Sequence, residues 1–280
     1  MNETRMHAMM KSFLGLLLLA TLGCQKKSEA VPPAPAPVAR RAAPDWQKFR
    51  NLGYELVKEL PHDTAAYTQG LQLWQGHWIE GTGGYGVTSL RRVDTNTGRV
   101  LLQKDIAREY FGEGITVLNG KIYQLTWKNE TGFVYDAQTF KWQKNFAYSG
   151  EGWGLTTDGT HLIMSNGSDR LRYLDPNTFR VVKEIAVRLD GKPVTQLNEL
   201  EFIEGEIFAN VWFRDEIVRI HPADGTVLGV IDLSGIDAKE TRKQQDFVLN
   251  GIAYDAATGE IFVTGKCWPK IYQIRLVEKK

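Results

Sequence analysis

Apolar and polar positions alternate with a period of two over most of this chain, in short runs broken by Gly, Asn, Asp and Pro. In KIYQLTW (121–127), Ile122, Gln124 and Thr126 point one way and Tyr123, Leu125 and Trp127 the other. Such runs recur around a turn glycine, at Gly76, Gly120, Gly159, Gly205 and Gly259, with spacings of 44, 39, 46 and 54 residues. That is the period of a four-stranded propeller blade. Each unit continues into a second hairpin, as in FVYDAQTFKWQKNF, RYLDPNTFRVVKEI and VRIHPADGTVLGVI, where turn residues separate β-branched runs. The pattern predicts an all-β chain, a five-bladed β-propeller. Its last unit stops at IYQIRL near residue 276 without an outer strand, while YELVKEL at 54–60 has no partner. The N-terminal strand is therefore expected to complete the last blade and close the ring, removing an exposed edge.

The same register organises the candidate chemistry. Seven residues after the turn glycines stand Gly83, Trp127, Asn166, Trp212 and Lys266. Ahead of the turns, the echoes YTQGL, FGEGI, GWGL, LNEL and LNGI put Gln69, Glu113, Trp153, Asn198 and Asn250 at matching places. Rotation about an axis turns these two sets into facing rings. A repeat that keeps its framework and varies these positions is a scaffold for one asymmetric site. The rings carry one carboxylate (Glu113), one ammonium (Lys266), several amides and three indoles. Trp46, Trp74, Trp78, Trp142 and Trp268 are assigned to packing, and Glu199 and Glu201 to hydrogen bonds between blades.

Composition adds limits. The chain has 280 residues, of which 42% are hydrophobic, and 8 Trp, enough for one large core. A net charge of +1 without a basic stripe speaks against nucleic acid as a partner. The N-terminus differs in kind. FLGLLLLATLG is a signal-length apolar run, too short to span a bilayer, and Cys24 follows it at once. Residues 1–24 thus read as a bacterial lipoprotein signal with Cys24 lipidated; a plain cleaved signal is the alternative. Residues 25–49, including VPPAPAPVARRAAP, read as a tether, and 50–280 as the propeller domain. The implied location is the bacterial cell envelope, on the periplasmic side, with membrane contact only through the lipid. Cys267 is a lone thiol, and a monomer is expected.

Metal and triad chemistry find little support. The five His are not at ligand spacing, no Asp/Glu cluster falls on the rings, and no His stands opposite Cys267 or a serine. No cofactor motif is present, so neither metal nor cofactor is expected. DAKETRKQQD (237–246) accounts for the longest spacing and reads as a polar insertion beside the site, either helical or, as the first choice, no more than a solvated excursion.

The motifs YTQGL, FGEGI, IYQLTWK, EGWGLT, LNELEFI, ANVW, VLNGIAY and FVTGKCWP, in order from about Leu60 to the C-terminus, together resemble the glutamine cyclotransferases of plants and bacteria. That resemblance implies a five-bladed propeller, needing no metal, that converts an N-terminal glutamine of a peptide to pyroglutamate with loss of ammonia. It implies that Glu113 is the catalytic acid, with Lys266 and Asn198 beside it. It further implies substrate contacts from Gln69 and the pocket tryptophans Trp127, Trp153 and Trp212, with Tyr67 and Phe111 as flanking aromatics. SNGS (165–168) and IEGTGG (79–84) depart from the family's usual SDGS and YESTG-like sequences, which leaves the part played by Asn166 open. The reaction needs a proton taken from the α-amine and one given to the leaving amide nitrogen, and one carboxyl among indoles, its pKa raised by desolvation, suits both. An envelope-tethered propeller that only binds peptides or proteins is the competing reading.

Overall fold

The computed structural model describes residues 44–237 and 244–279. The signal expected over 1–24, Cys24 and most of the 25–49 tether lie outside the described residues. A 3-10 turn (Asp45–Lys48) leads into β1 (Asn51–Pro61), and antiparallel meanders follow. β2 (Thr68–Trp74), β3 (His77–Thr82), β4 (Ser89–Asp94) and β5 (Val100–Asp105) form one sheet. β6 (Gly112–Leu118), β7 (Lys121–Thr126), β8 (Thr131–Asp136) and β9 (Trp142–Ala147) form a second. β10 (Leu155–Thr157), β11 (Leu162–Met164), β12 (Arg170–Leu174) and β13 (Val181–Ala186) form a third. After the small hairpin β14 (Arg188–Leu189) and β15 (Lys192–Pro193) come β16 (Leu197–Ile203), β17 (Glu206–Val211), β18 (Glu216–Ile220) and β19 (Val227–Asp232). The last strands are β20 (Leu249–Asp255), β21 (Glu260–Gly265) and β22 (Lys270–Glu278). Strands β16 to β22 share one sheet with β1, in the order β16-β17-β18-β19-β1-β22-β21-β20. The architecture is all-β.

Local chemistry explains the meanders. The β2–β3, β6–β7 and β16–β17 hairpins turn on Gln75-Gly76, Asn119-Gly120 and Glu204-Gly205, each pair with positive φ at both residues. This two-residue turn matches the twist of antiparallel strands, and glycine makes its second position inexpensive. Between the third and fourth strands of the first three sheets, Asp94, Asp136 and Asp175 each accept the N–H groups two and three residues on. The meander β20–β21–β22 has no fourth strand of its own. β1 takes that place, antiparallel to β22 from Leu52–Glu278 to Pro61–Lys270, and meets β19 in parallel only at Asn51 and Leu52.

Each sheet is buried on both faces. Ile122 of β7 packs with Ile79, Leu90 and Ile115 on one side, whereas its neighbours Tyr123 and Leu125 pack with Leu155, Leu162 and Leu174 on the other. Further clusters join the β10–β13 strands to β16–β19 and these to β20–β22; another unites Trp78 and Leu71 with Ala253 and Phe262. The first strands follow suit: β2 packs on β6, β6 on β10, β10 on β16, β16 on β20, and β20 on β2. Glu199, on β16, accepts N–H groups of Leu71 on β2 and Ile252 on β20, and Glu201 accepts the Thr156 hydroxyl. Both carboxylates thus tie neighbouring sheets together, as the sequence suggested.

Residues 44–49 differ from expectation. Trp46 packs edge-on against Phe208 at 5.5 Å, and the buried Arg219 guanidinium donates to the carbonyls of Trp46, Gln47 and Phe49 while bonding Glu206. An apolar ring and three backbone acceptors with one buried donor fix this stretch to the sheets, so it is no part of an extended tether.

Candidate active site

The two sets of register-matched residues emerge at one end of the meanders. Gln69, Glu113, Asn198 and Asn250 lie at the start of β2, β6, β16 and β20, each where the pairing register with the next strand slips: between Thr68 and Gly70, Gly112 and Ile115, Leu197 and Leu200, Leu249 and Ile252. Such bulges re-aim a side chain that regular pairing would leave on a sheet face. Trp127, Trp212 and Lys266 follow directly on the ends of β7, β17 and β21. The backbone beside Glu113 leaves no room for side chains, since a Cβ on Gly114 would stand 2.5 Å from the Leu155 nitrogen. One on Gly83 would stand 2.3 Å from the Phe111 ring, so this bare ring position is filled from its neighbour.

All nine side chains expected at the site line one cavity of about 290 Å³: Glu113, Lys266, Asn198, Gln69, Trp127, Trp153, Trp212, Tyr67 and Phe111. Trp153 and Trp212 meet edge to face at 5.4 Å, Phe111 meets Trp127 at 5.7 Å and Tyr67 at 6.1 Å, giving two aromatic walls. The Lys266 ammonium lies 4.8 Å from the Tyr67 ring centre and 5.8 Å from that of Trp212. Asn250 donates to Gln69 Oε1 at 3.1 Å, fixing its amide so that the Gln69 NH₂ faces Glu113. Burial drives the Glu113 carboxyl well above the usual carboxylate range; Lys266 pulls it back, Glu151 pushes it further up and the Gln69 hydrogen bond lowers it. Burial likewise lowers the Lys266 ammonium, against the pull of Glu113 and Asp246. Asn198 Oδ1 and Trp212 Nε1 are buried without a protein partner, although both residues line the cavity. Unpaired polar atoms of this kind are rare in a folded interior unless a ligand completes them.

Two acids at the site escaped the sequence reading. Glu151 Oε2 accepts both indole N–H groups, from Trp127 at 2.8 Å and Trp153 at 2.9 Å. A signal existed for it: in extended backbone Glu151 and Trp153 share a side, because side chains two apart point alike. Asp246 lines the cavity and accepts the Tyr67 hydroxyl at 3.0 Å. It ends the run assigned to a solvated excursion, and the assignment fails at both ends, because Asp237 is buried and accepts the Tyr272 hydroxyl. Residues 238–243 lie outside the described residues. Asn166 is spent on its own turn, accepting from Ser168, and does not line the cavity. Glu80 is buried and does not line the cavity either; it pairs with His62 at 2.8 Å. That imidazole also bonds the Trp268 carbonyl at 2.7 Å, which ties the pair to the loop that carries Lys266.

Comparison with known proteins follows the same line. The chain is 46% identical over 228 residues to a glutaminyl-peptide cyclotransferase of Arabidopsis thaliana, covering 79% of this chain and 71% of that protein. The crystal structure of Myxococcus xanthus glutaminyl cyclase superposes with a TM-score of 0.79 at 34% identity, covering 83% of this chain and all of that one. The family model described as glutamine cyclotransferase matches residues 29–276, and the chain belongs to that family.

Proposed function

We propose that the protein cyclises N-terminal glutaminyl residues of peptides to pyroglutamate with release of ammonia, using Glu113 as the only proton carrier and no metal. The observation that carries this reading is one buried carboxyl, its pKa raised, set beside one buried ammonium inside a box of indoles. The α-amine nitrogen attacks the γ-carboxamide carbon, forming the ring C–N bond, while Glu113 takes the amine proton. The tetrahedral intermediate then collapses; Glu113 returns the proton to the amide nitrogen, its C–N bond breaks and ammonia leaves. Lys266 and the unpaired Trp212 N–H supply positive charge where the oxyanion forms, each such donor being worth about 3 kcal/mol in comparable sites. Asn198 Oδ1, also unpaired, accepts an N–H of the substrate. Gln69 holds Glu113 as well as the substrate. The indoles fold the glutaminyl chain back on its amine, and because the attack is intramolecular, this conformer is itself a large part of the catalysis.

Among the described residues, no three His, Cys, Asp or Glu side chains gather as metal ligands would. The cyclic packing of first strands and the fit of β1 beside β22 support a five-bladed propeller closed by its N-terminal strand. A signal over 1–24 with lipidated Cys24, periplasmic attachment and a monomeric state remain part of the proposal on the strength of the sequence. Incubating the purified protein with a glutaminyl peptide, with and without a strong chelator, tests the reading. Equal ammonia release and a pyroglutamyl product in both are expected; no release, or release lost with the chelator, overturns it.

A further inference from the structure

We infer that two exposed aromatic rings at the cavity mouth, Tyr85 and Phe213, form an apolar rim that receives the side chain of the residue following the substrate glutamine. The inference rests on the cyclase reading above. Glu113 and Lys266, in a cavity walled by three indoles, are only 4% and 3% exposed, so a glutamine placed against them sits deep in the cavity and the rest of a peptide must leave across the mouth. Tyr85 is 55% exposed yet packs edge-on against Phe111 of the cavity wall at 5.4 Å. Phe213 is 53% exposed and lies against Trp212, at 4.4 Å and 31°. The other large exposed apolar side chains, apart from Val87 beside Tyr85, lie on β1, β5, β9 and β13, each the outermost strand of its meander. Of the three large exposed rings among the described residues, Tyr85 and Phe213 thus stand against walls of the cavity, and the third, Trp142, lies on β9.

Neither ring is exposed because its segment is loose. The turn carrying Tyr85 is held by the Val87 N–H and the Thr88 hydroxyl, both donating to the Gly84 carbonyl, and Thr88 Oγ1 in turn accepts the Gly112 N–H beside Glu113. Phe213 sits at φ 65°, a left-handed conformation that disfavours a bulky side chain by about 1–2 kcal/mol. Two unfavourable features coincide there: a strained backbone and an apolar ring in water. Both are relieved in purpose if the ring is held ready for an apolar partner, and a pre-positioned aromatic surface gains affinity without further ordering.

The test compares kcat/KM for glutamine amide, Gln-Gly-amide and Gln-Phe-amide in the wild type, Tyr85→Ala, Phe213→Ala and the double variant. The wild type should prefer Gln-Phe-amide over Gln-Gly-amide by about tenfold, the effect of one well-packed aromatic contact. Each single variant should cut that ratio about threefold, and the double variant should bring it close to one. A wild-type ratio below about two, or a double variant keeping half of the preference, overturns the rim while glutamine amide turnover leaves the cyclase reading intact. Absence of turnover on all three substrates overturns both.

Discussion

At the residue scale, Glu151 is the group whose removal separates positioning from proton transfer. Its one oxygen holds the indoles of both Trp127 and Trp153, and its charge raises the pKa of Glu113. Glu151→Gln is expected to lower kcat/KM about tenfold by freeing at least one indole, as misplacement near a reacting centre does. It should also move the limb of the kcat/KM–pH profile that belongs to Glu113 toward lower pH, since a negative neighbour no longer opposes its ionisation. A rate loss with an unmoved limb would leave Glu151 a packing group alone. Lys266→Ala should reduce kcat strongly and Lys266→Arg recover only part, because a planar guanidinium does not fit where a compact ammonium is hemmed in by Tyr67 and Trp212; near-normal kcat in Lys266→Ala would remove the ammonium from the reaction. Most of this cavity was legible in the sequence because its residues repeat with the units: Gln69, Glu113 and Asn198 occupy one register, Trp127, Trp212 and Lys266 another. Asp246 was not, since it lies outside the repeat on the approach to β20, where position in sequence says nothing about which wall a side chain joins.

At the element scale, alternation in KIYQLTW located the strand but could not say that both faces are buried, because Ile122 and Tyr123 serve clusters on opposite sides of one sheet. The pairing of β1 with β22 followed from two incomplete units. The anchoring of residues 44–49 did not, since it depends on Arg219, a charge that reads as a surface residue until its carbonyl partners are in place. Arg219→Ala would leave Glu206 buried and unpaired and take a donor from three carbonyls, of which that of Trp46 keeps the Phe49 N–H. The expected cost is about 3–5 kcal/mol of unfolding free energy, read from chemical denaturation. A change below about 1 kcal/mol would mean that β1 closes the sheet without this clasp.

For the whole molecule, the buried carboxyls between sheets set the response to pH. Burial pushes Glu201 up to about 8, against a hydrogen bond from Thr156 that lowers it. A carboxyl with a raised folded-state pKa contributes stability that is complete below its unfolded pKa and is lost as pH rises through the folded value. In the window between roughly 4.3 and 8, folding should therefore weaken with rising pH, by up to about 1.4 kcal/mol per unit from this group. Glu201→Gln should flatten that slope; an unchanged slope would assign the pH response to other groups. The fold thus holds carboxyls of raised pKa in two settings, one that joins sheets and one that faces the cavity, and the account gives only the second a part in the reaction. The most direct test is turnover of glutamine amide by Glu113→Gln, with the near-ultraviolet circular dichroism of the same sample as the check on folding. The account predicts a native spectrum and a rate at least 100-fold below wild type, the usual contribution of general acid/base catalysis; a folded variant that keeps more than about a tenth of the wild-type rate would contradict it.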